Sequence, residues 1–472
     1  MPNKKDAIGY LPDERPPFWK LILYAVQQFV VMFPATITVA LLTGFHVSTT
    51  IFASGLATIF FVIVTKGKLP LYYGSSFSYI AAIVGLMSAP HLEGLGLNEK
   101  ISIAQFGIVM SGLVSVAAGI IVNRFGKDQI NKILPSTITG PIAMVIGLTL
   151  AGNALGDATA IPDTIVESSV SLATNMAWIV SLVTLLSTIL FSVYLKGFLS
   201  QLPLLLGPIL GCLTAFIISK ISGIDLFRAL EGSGGLVALP TFTLPKPTLA
   251  AVVAIMPIAI ATIPESTAHV YQLDVYVNNL AKKKGSKKKY DISSLLGSNL
   301  IGDGIADMVS GFVGGPAGTN YGENISAMAI TRVFSVPVLI VAAVIAMIIS
   351  CFTPLINVIY SIPLAVIGGL EMYLFGAIAA QGIAIMMEHK ADMFSSKNIA
   401  VIATVMVIGI GGHYQFGGSI PFFGISVPSV AGAAIFGIAL NLLLSIGNKK
   451  DKTAVVEANV TEGISSDSPS DN

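Results

Sequence analysis

Glu265 and His269 stand four residues apart in the stretch Ile255-Met256-Pro257-Ile258-Ala259-Ile260-Ala261-Thr262-Ile263-Pro264-Glu265-Ser266-Thr267-Ala268-His269. On a helix that spacing puts both side chains on one face. A carboxylate and an imidazole so placed can share a proton, because each favours the other's charged form while burial works against both charges. The alternative is that the two merely satisfy each other near a helix end. Pro257 and Pro264 favour the functional reading, since each frees backbone groups close to the acid. Glu323, in Tyr321-Gly322-Glu323-Asn324-Ile325-Ser326, opens a short helical pattern where unpaired amides attract negative charge; N-terminal capping is its alternative role. Glu371, in Gly368-Gly369-Leu370-Glu371-Met372-Tyr373-Leu374-Phe375, either joins this proton chemistry or bonds a neighbouring helix. Asp303 and Asp307, a turn apart, are read as structural.

These acids need explaining because their surroundings are so apolar. Of 472 residues 54% are hydrophobic and 11% charged, and mean hydropathy is +0.82, well beyond a soluble composition. The charges fall between long apolar runs, as expected when each run crosses a hydrocarbon layer needing roughly 20 apolar residues per helix. A carboxylate within such a run carries a penalty of about 2.5–3.5 kcal/mol. The two cysteines, Cys212 and Cys351, lie in apolar runs, which argues against a disulfide framework or thiolate metal site. No HExxH, Cys/His metal spacing or nucleophile motif points to an enzyme, and no cofactor is expected. The net charge of +1 suggests no nucleic-acid partner.

Apolar runs predict an all-α polytopic membrane protein with about fourteen spans, near 18–42, 47–65, 71–87, 101–122, 134–152, 172–194, 203–222, 248–270, 292–313, 320–333, 335–353, 357–386, 397–412 and 428–447. With the N-terminus in the cytoplasm, Lys4, Lys5, Lys66, Lys68, Arg124, Lys127, Lys132, Lys196, the cluster from Lys282 to Lys289, Lys390, Lys397, Lys449 and Lys450 share one side, and loops 87–100 and 153–171 are nearly free of Lys and Arg. This satisfies the positive-inside rule and puts both termini in the cytoplasm. The lysine cluster reads as a topological loop or a lipid-binding patch. Residues 1–17 are polar and lack a signal-peptide pattern, so the first apolar segment is expected to remain in the mature protein. Residues 448–472 are expected to be disordered, with no appended soluble domain.

Two spans are too polar for simple helices, and they echo each other: Tyr73-Gly74-Ser75-Ser76-Phe77-Ser78 in the third, Tyr321-Gly322-Glu323-Asn324-Ile325-Ser326 in the tenth. Pro135 with Gly140 and Pro363 with Gly368 form a second echo between the fifth and twelfth. Seven spans per half make the repeats inverted, and interrupted segments at matching positions point to a transporter site at the bilayer midplane. Proline or glycine precedes each Tyr-Gly pair, so an extended stretch should lead into a half-helix. Such backbone is tolerated at membrane depth where protein or a cavity satisfies it, and the half-helix amides would face that cavity.

At 74–79, 257–269 and especially Thr319-Asn320-Tyr321-Gly322-Glu323-Asn324-Ile325-Ser326-Ala327-Met328-Ala329-Ile330-Thr331-Arg332-Val333, the chain resembles the nucleobase:cation symporter-2 family, also called nucleobase-ascorbate transporters, over about residues 18–447. The Tyr-Gly-Glu-Asn motif is similar to that of bacterial uracil permeases; xanthine and urate carriers usually show Gln-Asn. The resemblance implies a core domain of spans 1–4 and 8–11 (18–122 and 248–353), a gate domain of spans 5–7 and 12–14 (134–222 and 357–447), and a homodimer in the cytoplasmic membrane. It further implies proton-coupled uptake of a nucleobase, uracil first, by elevator-like movement.

By that resemblance Glu265 and Glu323 accept hydrogen bonds from the base's ring N–H groups. Backbone N–H groups near Phe77 and Gly322, with Ser76 and Tyr321 beside them, face its carbonyls; Phe77 packs on the ring, and His269 tunes Glu265. A flat neutral base with alternating donors and acceptors suits such partners. Three positions depart from the family pattern. Gln28 stands where a histidine is usual, and Phe375 where a tyrosine is usual, while Glu371 replaces a small residue and is a candidate to supply the missing proton group. Asn324 is a further site candidate. The rivals are a xanthine or other purine permease, an anion exchanger of similar architecture, a channel and a membrane enzyme.

Overall fold

The computed structural model describes residues 9–126, 135–229, 235–422 and 425–447. Lys4, Lys5, Lys127, Lys132, Lys449, Lys450 and the expected disordered tail lie outside them. Among the described residues, ten helices are long and apolar enough to cross a membrane. They include α1 (Phe18–Thr43), α2 (Val47–Val64) and, beyond β1 (Tyr73–Ser75) and α3 (Ile80–Met87), α4 (Leu97–Phe125). Next come α5 (Ser136–Thr149), α6 (Ala151–Ala158), α7 (Val170–Tyr194), α8 (Pro203–Ser222), α9 (Leu249–Ile255), α10 (Ala259–Lys283) and α11 (Leu296–Val313). After β2 (Gly318–Asn320) the chain forms α12 (Gly322–Thr331), α13 (Val336–Ile349), α14 (Thr353–Tyr360), α15 (Leu364–Glu388), α16 (Ser396–Met406) and α17 (Gly412–Phe416). It ends with a hairpin of β3 (Ser419–Phe422) and β4 (Ile425–Pro428) and with α18 (Ser429–Gly447).

The proline and glycine punctuation explains the interruptions. Pro257 sits in a 3₁₀ turn between α9 and α10, while Pro264 is accommodated inside α10. The reading of one span over 357–386 divides at Ser361 to Pro363 into α14 and α15. The hairpin at 419–428 was not anticipated: Gly417 and Gly418, with φ of 60° and 91°, turn the chain where a helix ends in the left-handed region.

In hydrocarbon, apolar side chains gain little by leaving lipid, so helices hold each other by close backbone approach. Glycines provide it. A Cβ at Gly112 would lie 2.4 Å from the Gly304 carbonyl, fixing α4 on α11, and one at Gly382 the same distance from the Gly140 carbonyl, fixing α15 on α5. The largest apolar cluster joins α1, α2, α10, α11, α12 and α13. A second joins α3, α4, α5, α9, α16 and α18.

The expected extended stretches are present. β1 and β2 pair antiparallel, with Tyr73 opposite Asn320, Gly74 opposite Thr319 and Ser75 opposite Gly318. Strands this short leave backbone groups unpaired, and polar side chains from neighbouring helices take them up. Ser54 donates to the Tyr73 carbonyl at 2.9 Å, Thr58 accepts from the Tyr73 N–H at 3.1 Å, and Gly318 N–H donates to Asp307 Oδ1 at 2.8 Å. Tyr73 Oη donates to the same Asp307 oxygen.

Part of the polar leader is bound to the bundle. Tyr10 and Leu11 are buried; Tyr10 N–H donates to the Arg332 carbonyl and its own carbonyl accepts from Phe334, both at 2.8 Å. Lys284 Nζ bonds the Gly9 carbonyl at 2.7 Å and Glu14 at 2.5 Å, and Lys288 pairs with Asp13 at 2.7 Å. Two lysines of the cluster read from sequence as a topological loop or lipid-binding patch, Lys284 and Lys288, thus also hold residues 9–14 of the chain.

Candidate functional site

The β1–β2 crossing determines where two short helices begin. After β1 the chain enters a 3₁₀ turn at Phe77–Tyr79 that runs into α3, and Ser76 caps it by accepting from the Ser78 N–H at 3.3 Å. After β2, Tyr321 is extended and α12 starts at Gly322. Phe77 and Gly322 thus carry N–H groups of the kind a helix start leaves without an intrahelical partner. Phe77 and Glu323 line one wall of a cavity of about 280 Å³; Gln201, Leu204, Tyr373, Leu374 and Gln381 are among the residues facing them from the start of α8 and from α15.

Glu265 is half-buried on α10, within range of the charges of Glu323 and Asp303, and it does not line the cavity. His269, one turn on, lies against the start of α12: a Cβ on Gly322 would be 2.9 Å from its Nε2. Its Nδ1 is buried without a hydrogen-bond partner, so the sharing of a bond with Glu265 expected from the spacing is not made through that atom. Beneath them, Asn320 Nδ2 donates to Asn299 Oδ1 at 3.0 Å and Asn299 Nδ2 to Asp303 Oδ2 at 3.2 Å. Asp307 bonds the crossing directly, and Asp303 reaches it through Asn299 and Asn320.

Other candidates serve packing. Asn324 Nδ2 donates to the Gln28 carbonyl at 3.0 Å and to Gln28 Oε1 at 2.8 Å, a fully buried clamp of α12 on α1. Tyr321 is buried too; its Oη bonds the Ser75 carbonyl and meets Thr36 Oγ1, each at 3.0 Å. Phe375 is 3% exposed and packs among Ile80, Leu150 and Leu374, outside the cavity lining. Two residues earlier, Tyr373 lines the cavity, its Oη 2.8 Å from Ser192 Oγ on α7. Glu371 is also away from the lining, against Asp157. Gln201, Tyr373 and Gln381 were missed because nothing in their local sequence says which helix faces which.

A multi-pass membrane protein with a cavity between helix starts on one side and intact helices on the other is a transporter in architecture. Among solved structures, the murine Slc26a9 anion transporter in its inward-facing state matches 94% of this chain and 72% of its own, with TM-score 0.62 and 14% identity. The transmembrane domain of the cyanobacterial bicarbonate transporter BicA matches 89% and 96%, with TM-score 0.55 and 15% identity. At such identities the likeness is one of fold.

The particular family follows from sequence. The profile of the permease family Xan_ur_permease matches residues 19–418, and the chain belongs to that family. It is similar to the uracil permease of Bacillus caldolyticus, 35% identical over 435 residues covering 91% of this chain and 93% of the relative. It is also similar to the uracil permease of Bacillus subtilis, 34% identical over 451 residues covering 94% and 96%. Membership of a permease family makes it a membrane transporter rather than an enzyme.

Proposed function

We propose that this permease takes up a nucleobase, uracil first, together with a proton across the cytoplasmic membrane. The observation carrying the reading is the cavity whose one wall is Phe77 and Glu323, each at the start of a half-helix. A flat base needs an apolar face, carboxylate acceptors for its ring N–H groups and amide donors for its carbonyls, and Phe77, Glu323 and the nearby amides supply them. Glu265, close to Glu323, is the second acceptor in this reading. Two neighbouring carboxylates in a low-dielectric site repel each other, and a proton shared with His269 nearby relieves that repulsion, which couples base to H⁺. The names of the uracil permease relatives support uracil over xanthine, the second base to test.

In this reading the fourteen spans form two inverted halves. The core (18–122 and 248–353) carries Phe77, Glu265 and Glu323, and the gate (134–222 and 357–447) carries Tyr373 and Gln381. Elevator-like sliding of core against gate moves the cavity between faces, in a homodimer with cytoplasmic termini. The test is labelled uracil uptake in cells lacking their own permease, with and without a protonophore. Concentrative uptake that collapses with the protonophore, and that Glu265→Gln and Glu323→Gln each abolish at wild-type expression, is expected. Wild-type uptake by both variants overturns the site, and uptake of xanthine alone overturns the substrate.

A further inference from the structure

Glu371 is 2% exposed, and among the described residues no N–H or O–H donor reaches its Oε2. The side chain within hydrogen-bonding range of its carboxyl is another carboxyl, Asp157, near the C-terminus of α6. The two helices meet closely here: a Cβ on Gly368 would lie 2.2 Å from Ala158 N and 2.6 Å from the Asp157 carbonyl carbon, and Asp157 itself is half-buried. A carboxylate has only acceptors, so two carboxyl groups hydrogen-bond each other only when one carries a proton.

One positive side chain is within electrostatic range of Asp157. Arg228, after α8, acts on Asp157 through its charge. It donates from its backbone N–H to the Ser361 carbonyl at 3.1 Å and from Nε to the Ile362 carbonyl at 2.7 Å. Its Nη2 is buried without an acceptor. Tyr360 is within range of Arg228, but its Oη already accepts the Val47 N–H at 2.9 Å. The other helices packed on α15 add no charge here: α5 and α7 contain no acidic or basic residue, and α8 contains only Lys220, which is exposed. The surroundings thus comprise two acids, one arginine with a spare donor and one tyrosine whose oxygen accepts from Val47.

We propose that Asp157 and Glu371 form a proton-binding site outside the substrate cavity, one proton being shared between the two carboxyl groups and Arg228 Nη2 standing by to replace it. On release the O–H bond breaks, the proton passes to water, and the arginine donates to the carboxylate left behind. Because Arg228 also grips the segment entering α15, occupancy of the site is linked to how α15 is held, Glu371 lying one turn before cavity-lining Leu374. The proposal deepens the proton-coupled reading, but its test needs no substrate.

The purified full-length protein in lipid nanodiscs is titrated by infrared difference spectroscopy, following the C=O stretch of protonated carboxyl groups. The wild type is expected to show a component lost at alkaline pH. Glu371→Gln and Asp157→Asn, each close in shape and each providing a permanent N–H donor, are expected to lose that same component, since one proton serves both. If both folded variants retain it, or if each removes a different component, the shared site is overturned. Should either variant fail to fold, the other, or the double variant, decides by the same loss. Loss of the component in a protein that carries no uracil would leave the site standing and overturn the proposed function instead.

Discussion

Gly318→Ala tests whether the β1–β2 crossing positions the cavity. A Cβ at this position would lie 2.2 Å from the Gly74 carbonyl oxygen and 2.5 and 2.6 Å from Cζ and Cε1 of Tyr73, where real contacts stay beyond 3.0 Å. The strands must part by most of an ångström. The Tyr73 ring cannot retreat freely, because its Oη is bonded to Asp307, whose Oδ1 also accepts the Gly318 N–H at 2.8 Å. Overpacking a tight site costs about 1–3 kcal/mol, and losing a hydrogen bond to a charged group about 1.5–3 kcal/mol. The two overlap, so about 3 kcal/mol is expected, a fall in thermal midpoint on the order of 5 °C. Displacing the starts of α3 and α12 also separates Phe77 from Glu323, and one weakened charged hydrogen bond raises KM for uptake about ten- to hundredfold. Gly85→Ala in α3 is the control. Its Cβ would meet nothing within 4 Å, and exchanging a helical glycine for alanine stabilises by about 0.5–1 kcal/mol. The pair is compared by thermal unfolding in detergent and by initial uptake rates. A Gly318→Ala protein that melts and transports like Gly85→Ala refutes the reasoning.

Tyr373→Phe removes the 2.8 Å bond to Ser192 at the cavity wall; the melting midpoint should report a loss of about 1 kcal/mol, and an unchanged midpoint would show that the bond does not hold α15 to α7. Asn324→Ala breaks both bonds to Gln28 and leaves buried acceptors unpaired, so the melting midpoint should report a loss of about 2 kcal/mol. Asp13 is lifted by partial burial, but its bonds to Lys288 and Tyr290 outweigh that and hold it below its ordinary 3.8. A lowered acid stabilises the bound state above its ordinary value and loses that contribution as pH falls through the lowered one. Side-chain exposure of 53% limits the effect to less than about 1 kcal/mol. Hydrogen exchange at Tyr10 N–H should therefore quicken modestly only at strongly acidic pH, and Asp13→Asn should show the quicker rate already at neutral pH.

Class and punctuation were legible in the residues. Long apolar runs between charged segments dictate membrane helices whatever the tertiary contacts, because hydrocarbon demands internal backbone hydrogen bonds. The same demand made the polar Tyr-Gly segments conspicuous, and both appear as strands leading into short helices. Glu323 and Phe77 were readable as lying at helix starts because helix starts are local features. The boundary at Ser361 to Pro363 and the hairpin after Gly418 were harder to see, since a short apolar helix and an apolar strand look alike without their partners.

Side-chain partners belonged to the tertiary structure. Gln28 and Asn324 read as two separate site residues until α1 and α12 brought them together, and whether Phe375 or Tyr373 faces the cavity depends on the rotation of α15, which no local pattern sets. Asp157 and Glu371 lie 214 positions apart, and neither alone implies a shared proton. Lysines 284 and 288 likewise acquire meaning only when residues 9–14 fold back onto them. Chemistry that depends on residue type and local geometry was written in the chain; chemistry that depends on two distant groups meeting required the helices to be packed.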